Sequence, residues 1–165
     1  MTVAMQQLIL AMQRLADDLR TALYCARDLD AALATIADDG TLQNVPVDAA
    51  PCSGAELRRH LAQDVLPHLP ADLAFRRVSR TADIRRLVDE TVVTFTHDRE
   101  LPWLLPGVEP THRPAEVLAI SVVGFRHRTR QAVTESSIVS HRTLWDHSAL
   151  LAQLLGPPPS THSNG

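Results

Sequence analysis

The chain contains no lysine; all 16 of its basic residues are arginine. Schiff-base catalysis on a lysine side chain and a Walker-type phosphate lysine are therefore excluded whatever the fold. Aromatic residues are scarce at 4%, with the single tyrosine Tyr24, which leaves little for base stacking. The formal net charge is −3, and acids are interspersed with the doublets Arg58-Arg59, Arg76-Arg77 and Arg85-Arg86. That balance does not make a phosphate-tracking surface, and no nucleic-acid partner is expected. The two cysteines, Cys25 and Cys52, are too few and too far apart for a metal knuckle or a redox CxxC, and read as small buried hydrophobes. No apolar run approaches the roughly 20 residues that span a bilayer. Met1 to Leu10 carry no Lys or Arg, so the layout of a secretory signal is missing and a cytoplasmic protein is expected. Neither HxH nor HExxH spacing occurs, so no metal is expected, nor any cofactor.

The chain has 165 residues, 45% of them hydrophobic, enough for one domain burying roughly 70% of its unfolded surface. Apolar residues at Leu8, Met12, Leu15, Leu19, Ala22 and Ala26 recur at helical steps and predict a helix from Val3 to about Arg27. Leu29, Leu33 and Ile36 predict a short second helix, stopped by Asp38-Asp39-Gly40, and Thr41 to Val47 a short strand. Ser53-Gly54-Ala55-Glu56 has the form of a capping box, and Leu57, Leu61 and Val65 give the buried side of a third helix that ends at Pro67 and Leu69-Pro70. Four extended stretches follow: Leu73 to Thr81, Ile84 to His97, Ala115 to Arg126, and Val133 to Leu144. The connection from Arg126 to Ser137 offers no clean turn signal. A last helix is expected from about Asp146 to Leu155, stopped by Gly156. One domain over residues 1–156 and a disordered tail over 157–165 complete the expected organisation. Val117 to Val123 is apolar on both faces, and helices can cover only one, so a homodimer through the sheet is expected.

Certain motifs carry a resemblance. Phe95-Thr96-His97 followed by Trp103-Leu104-Leu105-Pro106-Gly107-Val108-Glu109-Pro110-Thr111 resembles SnoaL-like proteins of the nuclear transport factor 2-like (NTF2-like) superfamily, in which a Thr-His step precedes Pro-Thr-Gly-Arg. Leu144-Trp145-Asp146-His147-Ser148 is similar to the Trp-Asp-Gln-Ala-Ser run that closes one branch, and Val78-Ser79-Arg80-Thr81 and Asn44-Val45-Pro46 look like further anchors. The resemblance covers about Leu42 to Gly156. It implies an α+β cone: three N-terminal helices, a curved and mostly antiparallel sheet, and a short C-terminal helix around an apolar pocket. His112 replaces the glycine of Pro-Thr-Gly-Arg, His141 stands where the branch places a glutamate, and Ser121 stands nearest the catalytic aspartate of the polyketide cyclases. The GxSxG elbow of α/β-hydrolases is absent, so the dienelactone hydrolase label attached to that branch cannot mean that machinery.

Period two places Asp89, Thr91, Val93, Phe95 and His97 on one strand face, and the resemblance turns His97 inward. His97 is then the expected general acid/base, or a histidine bonded to backbone at a strand end. Asp146 can orient it or cap the last helix. His141 can complete a His-His-Asp group or face solvent. Trp103 and Trp145 are expected as apolar walls, with Trp103 laid over the mouth of the cone, or Trp145 as core. Tyr24, Asn44 and Ser121 are expected as hydrogen-bonding groups toward a substrate. The function these residues imply is cofactor-free proton transfer, a cyclisation or isomerisation, on a small hydrophobic carbonyl, lactone or polyketide-like substrate. Hydrolysis of an epoxide or lactone in the same pocket, and a non-catalytic ligand-binding or dimeric module, are the alternatives.

Overall fold

A computed structural model describes residues 1–157. The helix α1, Val3–Arg20, starts where the Thr2 hydroxyl accepts the Met5 amide, and turns Met12, Ala16 and Leu19 inward. It continues as a π-helical stretch, Thr21–Ala26, which ends at Arg27 in the left-handed region, φ 55°. Asp28 then caps α2, Leu29–Ala34, by accepting the Ala31 amide at 2.9 Å.

The second helix is shorter than its apolar spacing predicts. Thr35 closes it, its hydroxyl donating to the Ala32 carbonyl at 2.7 Å, and Ile36 already opens the strand β1, Ile36–Val45. Asp38-Asp39-Gly40 is not a helix stop. It lies inside β1 where the pairing slips, from Ile36 beside Ile138 to Thr41 beside Ser140, and Arg126 holds Asp39 through two bonds of 2.9 and 3.0 Å. A Cβ on Gly40 would stand 2.9 Å from the carbonyl oxygens of Ala37 and Ile138, so the slip requires a glycine.

A two-residue strand β2, Cys52–Ser53, leads into α3, Gly54–His60. Ser53 occupies the cap position, but its side chain makes no capping bond, so the expected capping box does not form. The chain runs on through a π-helical stretch, Leu61–Val65, and a 3-10 turn, Leu66–His68, with Leu57, Leu61 and Val65 buried as their spacing predicts.

The strands β3 (Ala74–Ala82), β4 (Arg86–Thr96), β5 (Pro114–Arg130) and β6 (Val133–Trp145) follow, then α4, His147–Leu155. The sheet order is β2-β1-β6-β5-β4-β3, antiparallel throughout except for the parallel pair β1 and β6. The long connection expected between β5 and β6 is a two-residue turn: Arg130 pairs with Val133, and Gln131 and Ala132 both take positive φ, 48° and 63°. Twist-matched hairpin turns need that geometry, which Asn-Gly usually supplies, so Gln131-Ala132 carries no recognisable turn signal. The predicted tail lies, from residue 158, outside the described residues.

Period two divides the sheet. Leu87, Val93, Phe95, Val117, Ala119 and Val123 turn into the buried core, where each of the larger side chains taken fully from water stabilises by roughly 1.5–3 kcal/mol. The outer face carries Val88, Leu118, Ile120 and Leu144, all more than a third exposed. The loop between β4 and β5 folds back into the core, with Leu101, Trp103, Leu104 and Leu105 buried. Among the described residues no helix is long and apolar enough to cross a membrane.

Candidate functional site

Three adjacent rows run across the inner face of the sheet, and Leu42, Thr91, Ala119, Ser121, His141, Thr143 and Trp145 from them floor a cavity. The middle row is polar: Asp89 on β4, Ser121 on β5, Thr143 on β6 and Asn44 on β1. On one side lie Thr91, Ala119 and Trp145; on the other, Leu87, Val123, His141 and Leu42. The last turn of α1 and the π-helical stretch after it cover this floor with Leu19, Arg20, Leu23 and Tyr24, and Phe75 of β3 closes the side. An apolar strand face thus carries a polar stripe at the point where a helix ends over it.

The cavity is narrow. Its enclosed volume is about 20 Å³, a little above what one ordered water needs. Its walls are part apolar, from Leu19, Leu23, Leu42, Phe75 and Ala119, and part polar. The Ser121 and Thr143 hydroxyls lie 3.3 Å apart, while the Thr91 hydroxyl and Nδ1 of His141 are buried without a partner among the described residues. Burial and the Arg20 charge together push the His141 imidazole down to about 4, against an opposing pull from Asp89, so it is neutral at pH 7. Burial pushes the Tyr24 phenol up to about 12, although Arg20 pulls the other way, so Tyr24 is a hydrogen-bond donor at any physiological pH.

Behind the wall stands an ion-pair network. Asp89, almost fully buried, accepts from Arg80 through Nε at 2.6 Å and Nη2 at 2.7 Å, and from Arg20 Nη2 at 3.1 Å. Burial alone would raise the Asp89 carboxyl, but the bonds and charges of Arg80 and Arg20 hold it below the usual carboxylate range. Arg80 also donates to both oxygens of Asp17, at 2.7 and 3.2 Å. Asp89 is therefore a fixed anion, with its oxygens occupied by guanidinium groups, and not a free base.

The structure brings together four of the eight residues expected at the site: Tyr24, Ser121, His141 and Trp145 all line the cavity. His97 does not. It lies buried at the end of β4, where Nδ1 accepts the Thr111 amide at 3.3 Å beside the Thr111 hydroxyl at 3.2 Å, leaving the proton on Nε2, which is buried without a partner among the described residues. Burial, with His112 adding to it, lowers its pKa. Asp146 is exposed on the other side of Trp145 and caps α4 by accepting the Ala149 amide. Trp103 is not at the mouth but in the core, edge-on to Trp145 at 5.8 Å, because its loop turns inward. Asn44 stands behind the wall and accepts the Trp145 indole N–H at 3.0 Å, fixing that ring.

Arg20, Arg80, Asp89, Thr91 and Thr143 complete the site beyond those eight. The sequence carried one pointer to them: Asp89 alternates with apolar residues on a buried face, and an acid so placed needs a basic partner. The partner Arg80 was concealed by a bulge. Arg77 pairs with Thr91 and Ser79 with Glu90, so Val78 is extra and both Arg77 and Arg80 turn inward.

No family model matches the chain, and none of the curated proteins matches its sequence. Solved structures do. A candidate SnoaL-like polyketide cyclase from Jannaschia sp. CCS1 superposes with a TM-score of 0.69 at 14% identity, over 92% of this chain and 96% of that one. AclR, a candidate hydroxylase from Streptomyces galilaeus, gives 0.61 at 19% identity, over 93% and 88%. A protein with a ketosteroid isomerase-like fold from Catenulispora acidiphila gives 0.59 at 17%, over 87% and 93%. At these identities the likeness establishes the fold alone, an α+β cone of the NTF2-like kind.

Proposed function

We propose that this chain, with the fold of SnoaL-like and ketosteroid isomerase-like proteins, transfers a proton on a compact, mostly apolar carbonyl or lactone substrate without a cofactor, His141 being the acid/base. One observation carries the reading: in a single cavity, His141 Nδ1 and the Thr91 hydroxyl have no partner among the described residues, while Tyr24 and the mutually bonded hydroxyls of Ser121 and Thr143 line the same space. Buried polar groups without partners are costly, and a ligand that satisfies them gains what the empty cavity forgoes. The substrate oxygen would accept from the Tyr24 phenol. His141 would take the proton from the carbon beside that carbonyl, and the electron pair left behind would form the enolate that Tyr24 and Ser121 stabilise. Return of the proton to another carbon is an isomerisation; attack of the enolate on a second carbonyl is a cyclisation.

The acid/base part expected of His97 passes to His141 in this reading, and Asp146 is left as a helix cap. Proton exchange in D2O tests it without knowledge of the whole reaction. Over a panel of enolisable ketones and lactones, the protein should exchange the α-proton of at least one compound well above the buffer rate. The His141→Ala variant should lose about 10²-fold or more, and His97→Gln should retain the rate. Equal exchange by wild type and His141→Ala would sink the proposal. The narrow cavity favours a second reading, a module that binds a small ligand and does no chemistry; binding of a panel member with no exchange supports it.

The reading includes a second copy of the chain on the outer face of the sheet. There Glu90, in the row of Ile120 and Leu144, and Arg142, in the row of Val88 and Val122, flank an apolar stripe. A two-fold axis running between them would set Glu90 against the partner's Arg142.

A further inference from the structure

The cavity has a surplus of positive charge at its wall. Three guanidinium groups, Arg20, Arg77 and Arg80, share two carboxylates, Asp17 and Asp89. Arg80 uses its bonds on both acids, and Arg77 leans on Asp17 at 3.4 Å. Arg20 is different. It gives one N–H to Asp89 and none of its others to any described residue, and its guanidinium lies against the Phe75 ring, 5.6 Å from the centroid, where the side chain is 22% exposed. A planar cation with free donors therefore stands in the wall of a cavity that is otherwise apolar or donor-lined.

Building on the proposed use of this cavity as a substrate site, we infer that its substrate is an anion, a compact apolar molecule bearing a carboxylate that Arg20 binds beside the Tyr24 phenol and His141. Three features support this over a neutral or cationic ligand. No carboxylate lining the cavity has oxygens free for a cation, because the one buried acid is occupied by Arg80 and Arg20. Tyr24, Thr91 and one hydroxyl of the bonded pair Ser121 and Thr143 can donate, as an anionic oxygen requires. The field of Arg20 also reaches both Tyr24 and His141.

The ligand charge has a catalytic consequence. Of the charged and titratable groups around His141, Arg20 disfavours its protonation and Asp89 favours it, while Tyr24 remains neutral. A carboxylate docked on Arg20 cancels the first of these and strengthens His141 as a base at the moment the substrate is present. By linkage the same anion binds more tightly once His141 is protonated.

Acetate and acetamide, close in shape, different in charge and small enough for a narrow cavity, test this by calorimetric titration and by the imidazole resonances of His141. At pH 7 wild type should bind acetate about tenfold more tightly than acetamide, in line with a charge-assisted bidentate contact. Arg20→Gln, in which Arg80 still neutralises Asp89, should bring the two affinities to within about threefold. Saturating acetate should raise the His141 titration and acetamide should not move it. Equal affinities in wild type, tighter binding of acetamide, a preference that survives Arg20→Gln, or absence of binding by both probes would each overturn the inference. Charge preference with no α-proton exchange would retain it and reject only the enzymatic reading; exchange with neutral substrates and no charge preference would do the reverse.

Discussion

His141 shows most directly how a single residue ties the cavity to stability. Its pKa is near 4 in the folded chain against an ordinary 6.5, so the unfolded chain binds a proton that the folded one refuses. Stability is thus full above about pH 6.5 and falls as the pH drops toward 4, by at most on the order of 3 kcal/mol for this one group. His97, also lowered, adds a loss of the same sign. Asp89, held below the usual range, adds its loss only at lower pH. Urea unfolding between pH 7 and 4.5 should therefore show a decline that is shallower in His141→Gln, and parallel curves for the two proteins would contradict the shift. At this scale the sequence was legible in kind but not in place. His141, Tyr24, Ser121 and Trp145, expected from residue type and resemblance, line the cavity, whereas His97, expected as the leading acid/base, lies outside it. His97 shares the buried face of β4 with Thr91, and alternation alone does not reveal that the face outlasts the cavity and ends beneath the β4–β5 loop.

At the scale of the element, strands were legible where alternation is regular and obscure where it slips. β4 and β5 were recognised within a few residues because β-branched and aromatic residues alternate along them. β1 was half taken for helix, since Leu29, Leu33 and Ile36 keep a helical spacing that Thr35 interrupts by bonding its own turn. The bulge at Val78 changed which arginine meets Asp89, a matter of one residue that no composition reports. The irregular stretch of β1 gives the clearest test. Gly40→Ala places a methyl group against Ile36 and two carbonyl oxygens, so the strand must shift or the pairing with β6 must open. A loss of about 1–3 kcal/mol in chemical denaturation is expected, with faster amide exchange around Ile138 and Ser140. A variant as stable as wild type would mean that this stretch has room the structure denies it.

For the whole molecule, the order of helices and strands led to the right cone, because a sheet with one apolar face and an amphipathic first helix has few ways to cover itself. The second apolar face is what remains. Leu118, Ile120 and Leu144 stay more than a third exposed in the single chain, and the proposed pairing would bury them. Light scattering should return twice the monomer mass for wild type, and Ile120→Arg should reduce it to the monomer with its helical circular dichroism unchanged. A wild-type monomer at high micromolar concentration would reject the pairing. The cavity itself was less legible than the cone, since it depends on where α1 stops being an α-helix.

That stopping point is the π-helical stretch Thr21–Ala26, whose wider turn carries one residue more than an α-helix would. Remove one residue, and those before the gap are turned by about 100° relative to those after. Met12, Ala16 and Leu19 would leave the core, or Tyr24 would leave the cavity. The length of this stretch, to a single residue, therefore decides what lines the cavity.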